Sequence, residues 1–141
     1  MSHVLVIDDD AGVREAFRAV LDVGGYTVRV AEDGRAGIES ARAKRPGLIF
    51  LDLKMPGLSG VETLAALHAA CPGVPVYIVT AFYGDYIAGL RGLESEGVDF
   101  NLARKPLSAS EILMIAASRL GGGAVQRIVM PNYDKTARGV L

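Results

Sequence analysis

The sequence predicts a single α/β domain, built on a doubly wound parallel sheet of five strands with five helices. Short apolar runs alternate along the chain with segments of helical period, and this alternation is typical of βαβ units with right-handed crossovers. Three of the runs are apolar almost throughout, as expected for strands that are covered on both faces. These three runs lie at residues 4–7, 48–51 and 74–79.

The first half of the chain contains three predicted strands and two predicted helices. The strands occupy residues 4–7, 27–31 and 48–51. Helix 1 is predicted between the first two strands because four apolar residues share one helical face: Val13, Phe17, Val20 and Leu21. Residues 34–44 carry fewer apolar positions at helical spacing and are predicted as a weaker second helix.

The second half contains two further strands and three further helices. The strands are predicted at residues 74–79 and, with a weaker pattern, at 100–103. Each helix is predicted from an apolar stripe: Val61, Leu64 and Ala65 for helix 3; Tyr86, Leu90 and Leu93 for helix 4; Ile112, Ile115, Ala116 and Leu120 for helix 5.

Capping residues support these helix boundaries. Asp9 or Asp10 can cap helix 1, Ser59 can cap helix 3, and Ser108 with Glu111 forms a capping-box pattern before helix 5. Glycines follow two of the helices, where they favour termination: Gly24, Gly25 and Gly121. We therefore expect one domain over residues 1–120, followed by a glycine-rich linker or tail over residues 121–141.

Composition narrows the class of protein. Half of the 141 residues are hydrophobic, and 15 basic residues balance 16 acidic ones, so neither disorder nor direct nucleic-acid binding by this chain is expected. Cys71 is the single cysteine, which excludes an internal disulfide. No apolar run approaches the length of a membrane span. We expect a soluble, cytoplasmic domain.

Polar side chains follow four of the five predicted strands. Asp8, Asp9 and Asp10 follow strand 1, Asp52 follows strand 3, Thr80 follows strand 4 and Lys105 follows strand 5. Because the carboxyl ends of parallel strands meet at one edge of the sheet, we expect these groups to lie together. Crowded carboxylates suit Mg²⁺, and a lysine and a hydroxyl can hold phosphoryl oxygens. Since aspartate is an accepted nucleophile for phosphorus, the pattern indicates an aspartyl-phosphate site.

At these residues the chain resembles the receiver domain of two-component response regulators, of the chemotaxis-receiver type. Four matching segments carry the resemblance: residues 6–10 (VIDDD) with Arg14, 51–57 (LDLKMPG) with Gly60, 79–81 (VTA) and 104–107 (RKPL). The resemblance covers residues 4 to about 120. It implies strand order 2-1-3-4-5 and a signalling domain that catalyses only its own phosphoryl transfer and dephosphorylation.

The resemblance also implies a role for each site residue. Asp52 would accept a phosphoryl group from a sensor histidine kinase or a phosphotransfer protein. Asp8, Asp9, Asp52 and the backbone carbonyl of Lys54 would hold Mg²⁺. Thr80 would bond a phosphoryl oxygen, and Lys105, followed by a cis peptide bond to proline, would pair with the acyl phosphate. Phosphorylation would then alter the face formed by helix 4, strand 5 and helix 5, through which a homodimer could also form.

The chain departs from the family at its switch position. The family usually carries an aromatic residue three positions before the final lysine, which is Leu102 here. The spacing from Gly97 to Lys105 is one residue longer than usual, so Asn101 takes the switch position if the extra residue lies late in strand 5. Phe100 is the nearest aromatic residue in that strand.

Two alternative functions stay open at this point. A degenerate receiver would bind its partner independently of phosphate, and the missing aromatic residue favours that interpretation. A phosphohydrolase of the haloacid dehalogenase type would use Asp8 and Asp10 with Thr80 and Lys105, and would need a further acidic pair after the lysine.

The sequence also suggests a role or a position for five other side chains. Asp10 is predicted to be a helix cap rather than a metal ligand, and His3 and His68 are predicted to lie at the surface. Phe82 and Tyr83 either present a recognition surface or cover the core, and the sequence does not distinguish the two.

Overall fold

The computed structural model describes residues 2–81 and 83–121, which form a five-stranded parallel sheet and five helices. The strands are β1 (Val4–Ile7), β2 (Val28–Ala31), β3 (Leu48–Leu51), β4 (Val76–Thr80) and β5 (Asn101–Arg104). The helices are α1 (Ala11–Val23), α2 (Gly34–Ala43), α3 (Gly60–Ala70), α4 (Tyr83–Ser95) and α5 (Ala109–Leu120). The predicted fold class is confirmed. Apart from Gly121, the predicted tail lies outside the described residues.

Strand order determines which side chains meet at the edge of the sheet. The order is β2-β1-β3-β4-β5, as the resemblance implied, and all neighbours are parallel. Ile7 is level with Leu51 across the β1–β3 pair, and Thr80 is level with Arg104 across the β4–β5 pair. The residues that follow these strands therefore emerge side by side, next to the point where strand order reverses.

Three strands differ slightly from the prediction: β2 begins at Val28 instead of residue 27, β5 covers Asn101–Arg104 instead of residues 100–103, and β4 begins later than residue 74. The Val74 N–H donates to the Cys71 carbonyl at 3.2 Å, so this residue closes a turn instead of pairing in the sheet. Pro75 has no N–H to contribute to a ladder. The strand therefore begins at Val76 and extends through Thr80, which becomes its last residue.

The core has two layers because successive strand residues point to opposite faces. Val4 and Phe50 pack with α1 and α5 on one face, and the rings of Phe17 and Phe50 lie 5.0 Å apart. Leu5 and Ile49 pack with α2, α3 and α4 on the other face. In the described ranges, no helix has the length and apolar character that a membrane crossing requires.

Helix caps occur where the sequence predicted them. The Asp10 carboxylate accepts the Val13 N–H at 3.1 Å and begins α1. Complete capping boxes begin α3 and α5, formed by Ser59 with Glu62 and Ser108 with Glu111. Asp33 caps α2 by accepting the Ala36 N–H at 2.8 Å, which the sequence analysis did not predict. Each such cap stabilises its helix by about 1 kcal/mol.

His3 is the clearest error of the sequence analysis. The residue was predicted at the surface but is only 1% exposed, and neither ring nitrogen has a hydrogen-bond partner among the described residues. The Gly47 N–H donates to the His3 carbonyl at 2.9 Å, which holds the residue against the chain that enters β3. Burial lowers the pKa of His3, and the nearby charges of Arg29 and Lys44 lower it further.

We predict that His3→Leu stabilises the fold, and that the gain grows as the pH falls below the ordinary histidine pKa of 6.5. The unfolded chain takes up a proton on His3 that the folded chain resists, so the wild type loses stability on acidification. Leucine has no such group and leaves no unsatisfied nitrogen. Urea unfolding of both proteins at acidic and alkaline pH measures the effect, and a gain of equal size at both would contradict the explanation.

Candidate functional site

The ends of β1, β3, β4 and β5 form a cleft of about 210 Å³. The Asp52 N–H donates to the Ile7 carbonyl at 2.9 Å, which holds the chain after β3 against β1. The Lys105 N–H donates to the Thr80 carbonyl at 3.1 Å and does the same for β5 and β4. The cleft is lined by five of the six predicted site residues together with Asp10 and Ala81, and Thr80 is not among its lining residues. The five are Asp8, Asp9, Asp52, Lys54 and Lys105.

Three carboxylates converge in this cleft. Asp8 and Asp52 are buried and Asp9 is exposed, and one oxygen of each lies within 4.8 Å of the others. The Asp10 N–H orients Asp8 by donating to its Oδ1 at 2.9 Å, and the Lys54 N–H lies 3.4 Å from Asp52 Oδ1. Hard oxygen donors on an open cleft fit a divalent cation that retains water ligands, as Mg²⁺ does.

Lys105 places a positive charge between two carboxylates of the cleft. Its Nζ lies 2.9 Å from Asp8 Oδ2 and 3.7 Å from Asp52 Oδ2, so it bridges the two buried carboxylates. Burial acts to lower the pKa of Lys105, but the hydrogen bond to Asp8 and the charge of Asp52 outweigh burial and raise it. The ammonium is therefore charged at neutral pH. The peptide bond from Lys105 to Pro106 is cis, as the resemblance implied.

Asp52 is the carboxylate with the most perturbed environment. Burial and the charge of Asp8 raise its pKa to about 6, although Lys105 and the Lys54 N–H act to lower it. A raised pKa means that the ionised form is disfavoured in this cleft when no further cation is bound. A cation or a reaction that removes the charge of Asp52 is favoured accordingly.

Thr80 lies at the end of β4 and is almost fully buried. It borders a small cavity of about 40 Å³ together with Leu102 and Tyr83. Asn101 instead lines a groove with Arg119, and Phe100 is buried in the core. Of the residues that could take the switch position, Leu102 is therefore the one beside Thr80.

The model of the response regulator receiver domain family matches residues 4–117. The chain belongs to this family. Its receiver fold and its strand-end cleft agree with that membership, and the four motifs of the sequence analysis all fall inside the matched range. Receiver domains of this kind are signalling domains.

Curated relatives of this receiver domain are longer regulators. The response regulator MprA of Mycolicibacterium vanbaalenii is 36% identical over 113 residues, which are 79% of this chain and 47% of that protein. The C4-dicarboxylate transport transcriptional regulatory protein DctD of Pseudomonas aeruginosa is 33% identical over 132 residues, covering 93% of this chain and 27% of that protein. The chain thus spans about half the length, or less, of these relatives.

Solved structures agree on the fold. The CheY-like receiver domain protein from Methanospirillum hungatei superimposes with a TM-score of 0.76 at 23% identity, over 85% of this chain and 94% of that chain. The receiver domain of the Francisella response regulator 1452 gives a TM-score of 0.69 at 27% identity, over 84% and 95% of the two chains.

Two contacts of this receiver domain were not predicted from sequence. Arg14, which accompanies the first matching segment, donates from Nη1 to the Asp8 carbonyl at 2.8 Å and so steadies the loop that carries the carboxylates. The sequence does not distinguish a surface position from a core position for Tyr83, and the structure packs this residue against the core beside Thr80. The signals were available as spacing: Arg14 follows Asp10 by one helical turn, and Tyr83 lies three residues after Thr80. Phe82 lies outside the described residues.

Proposed function

We propose that this receiver domain accepts a phosphoryl group on Asp52 from a histidine kinase or a phosphotransfer protein, with Mg²⁺, and that phosphorylation alters its partner-binding surface. The observation that carries the proposal is the convergence of Asp52 and Lys105, 3.7 Å apart, in an open cleft with Asp8 and Asp9. Phosphoryl transfer requires positioning and charge stabilisation, which this arrangement supplies.

The residues have distinct parts in the proposed reaction. An oxygen of Asp52 attacks the phosphorus of a phosphohistidine, and as the O–P bond forms the N–P bond breaks, with its electron pair returning to the imidazole nitrogen. The Lys105 ammonium pairs with one phosphoryl oxygen, and the Thr80 hydroxyl donates to another. Attack by water on the acyl phosphate returns free Asp52 and inorganic phosphate.

Asp8, Asp9 and Asp52, with the Lys54 carbonyl, would hold Mg²⁺ in this cleft. The donor set fits a divalent cation, because three carboxylate oxygens lie within 4.8 Å of one another. Two lysines, Lys54 and Lys105, also line the cleft. When bound, the ion would neutralise negative charge shared by the carboxylates and the phosphoryl group.

The proposal is tested by incubating the protein with Mg²⁺ and acetyl phosphate or phosphoramidate and measuring the intact mass. One added phosphoryl group per chain is expected, and omission of Mg²⁺ should suppress it. An unchanged mass under conditions that phosphorylate a known receiver would contradict the proposal.

We predict that Asp9→Asn weakens Mg²⁺ binding by at least about tenfold, because it removes one of three charged ligands from a site that is otherwise unchanged. Asp9 is exposed, so the substitution leaves no buried group without a partner. Titration with Mg²⁺ followed by NMR measures the affinity. Asp33→Asn is the matched control, since asparagine caps α2 equally well and Asp33 lies outside the cleft. Equal affinities for Asp9→Asn and wild type would remove Asp9 from the ligand set.

The two alternative functions are a haloacid dehalogenase-type hydrolase and a phosphate-independent binding module. A haloacid dehalogenase-type hydrolase would need an acidic pair after Lys105, and within the described residues 106–121 Glu111 is the one acidic side chain and it caps α5. Asp10, which such a site would also use, caps α1. A phosphate-independent module would bind its partner equally well after Asp52→Asn. The converging site residues support the phosphate-dependent proposal instead.

A further inference from the structure

The aromatic side chain of Tyr83 lies between two spaces at the junction of α4 and β5. The inner space is the cavity of about 40 Å³ that Thr80 and Leu102 border. The outer space is a groove of about 260 Å³, lined also by residues of α4 and by Phe100. Tyr83 and Leu102 line both spaces, and Tyr83 is half-buried. Tyr83 therefore stands at the boundary that the two spaces share.

We propose that Tyr83 of α4, rather than a residue of β5, is the aromatic side chain that couples Thr80 to the partner-binding surface. The inference rests on the proposed phosphorylation of Asp52 and adds the residue that transmits it. The coupling residue then lies on α4 and not in β5, where Leu102 occupies the position that is usually aromatic in the family.

The residues of β5 and its approach do not offer this coupling. Leu102 is beside Thr80 and lines both spaces, but it carries a short aliphatic side chain instead of an aromatic ring. Phe100 is 6% exposed and lines the outer groove, but it does not border the inner cavity beside Thr80. Among the described residues that border the inner cavity, Tyr83 is the one with an aromatic ring.

The physical cause of the movement is packing. A phosphoryl group on Asp52 draws the Thr80 hydroxyl towards its oxygens, and the inner cavity widens as that side chain leaves. The apolar side chains that border the cavity lose dispersion contacts when Thr80 moves away, so the neighbouring ring of Tyr83 moves in to restore them. Its departure from the outer groove changes the shape that a partner meets at Ile87 and Arg91.

Helix α4 is suited to accommodate this change. Leu90 is its one fully buried residue, so the helix is lightly anchored to the core. Gly84 directly follows Tyr83, and a side chain added there would meet no atom within 4 Å. Glycine has a lower helix propensity than alanine, which lowers the resistance of the first turn to adjustment.

The test compares NMR spectra of the protein with and without Mg²⁺ and beryllofluoride, a mimic of the phosphoryl group. In the wild type, we expect a ¹⁹F signal from bound beryllofluoride and amide shifts at Asp52, Thr80, Ile87 and Arg91. In Tyr83→Leu, which retains an apolar side chain, the ¹⁹F signal and the shifts at Asp52 and Thr80 should persist. The shifts at Ile87 and Arg91 should fall to about half or less.

Tyr86→Leu is the matched control. Tyr86 lies one turn further along α4 and packs against the same core, but it lines neither the inner cavity nor the outer groove. We expect this variant to retain wild-type shifts at Ile87 and Arg91. Wild-type propagation in Tyr83→Leu, or equal loss in both variants, would overturn the coupling role while leaving the phosphorylation proposal intact. Absence of bound beryllofluoride in the wild type would overturn both.

Discussion

Asp52→Asn is expected to abolish phosphoryl incorporation from small phosphodonors and from a histidine kinase. Asparagine has nearly the same shape and can accept the Lys54 N–H, but its amide oxygen is not a nucleophile for phosphorus. The cleft retains Asp8, Asp9 and Lys105, so loss of incorporation reports on the nucleophile alone. Intact-mass measurement after incubation with Mg²⁺ and acetyl phosphate detects the difference.

Asp10→Asn is the matched control for this prediction. Asp10 lies two residues from Asp8 and lines the same cleft, but its carboxylate caps α1, and asparagine caps a helix equally well. We expect near wild-type incorporation. If Asp52→Asn still gained one phosphoryl group, or if Asp10→Asn lost it, the acceptor would have to be a different residue.

The same Asp52→Asn substitution is expected to stabilise the fold in the presence of EDTA at neutral pH. Burial and the charge of Asp8 raise the folded-state pKa of Asp52 from 3.8 to about 6. Between these values the unfolded chain is ionised while the folded chain resists ionisation, so the wild type loses stability as the pH rises through about 6. A shift of two units corresponds to about 2 to 3 kcal/mol, which the variant does not lose.

Urea unfolding as a function of pH measures this effect. The stability of the variant should exceed that of the wild type by about 2 kcal/mol at neutral pH, and the two should converge once the wild-type carboxyl is protonated in both states. Lys105→Met should instead destabilise the fold, because it leaves Asp8 and Asp52 without their shared cation. If Asp52→Asn were only as stable as the wild type at every pH, burial and the charge of Asp8 would not raise the pKa of Asp52.

In the presence of Mg²⁺, the wild type should become more stable than Asp52→Asn. An ion that binds the folded cleft and not the unfolded chain stabilises the wild type by mass action. The variant has lost one of the three converging carboxylates and should gain less. The crowding that costs stability in the absence of the ion is therefore the feature that prepares the cleft to bind it.

The fold class and the candidate site residues were predictable from local pattern. Strands buried on both faces leave continuous apolar runs; Asp8 and Asp52 directly follow such runs and Thr80 ends one, whereas Lys105 follows the weaker pattern of β5. Because parallel strands share one carboxyl edge, these four candidate residues could be placed together. Caps such as Ser108 with Glu111 were equally predictable, because a cap depends on residues within one helical turn.

Contacts between distant segments were not predictable from the sequence pattern. His3 is buried because of chain that lies more than forty residues away at Gly47, and no pattern around His3 announces it. The raised pKa of Asp52 results from burial and from Asp8 across the sheet. The proximity of Tyr83 to Thr80 and Leu102 depends on how α4 packs against β5. Periodicity records which face of an element is buried, whereas packing determines which side chains meet there.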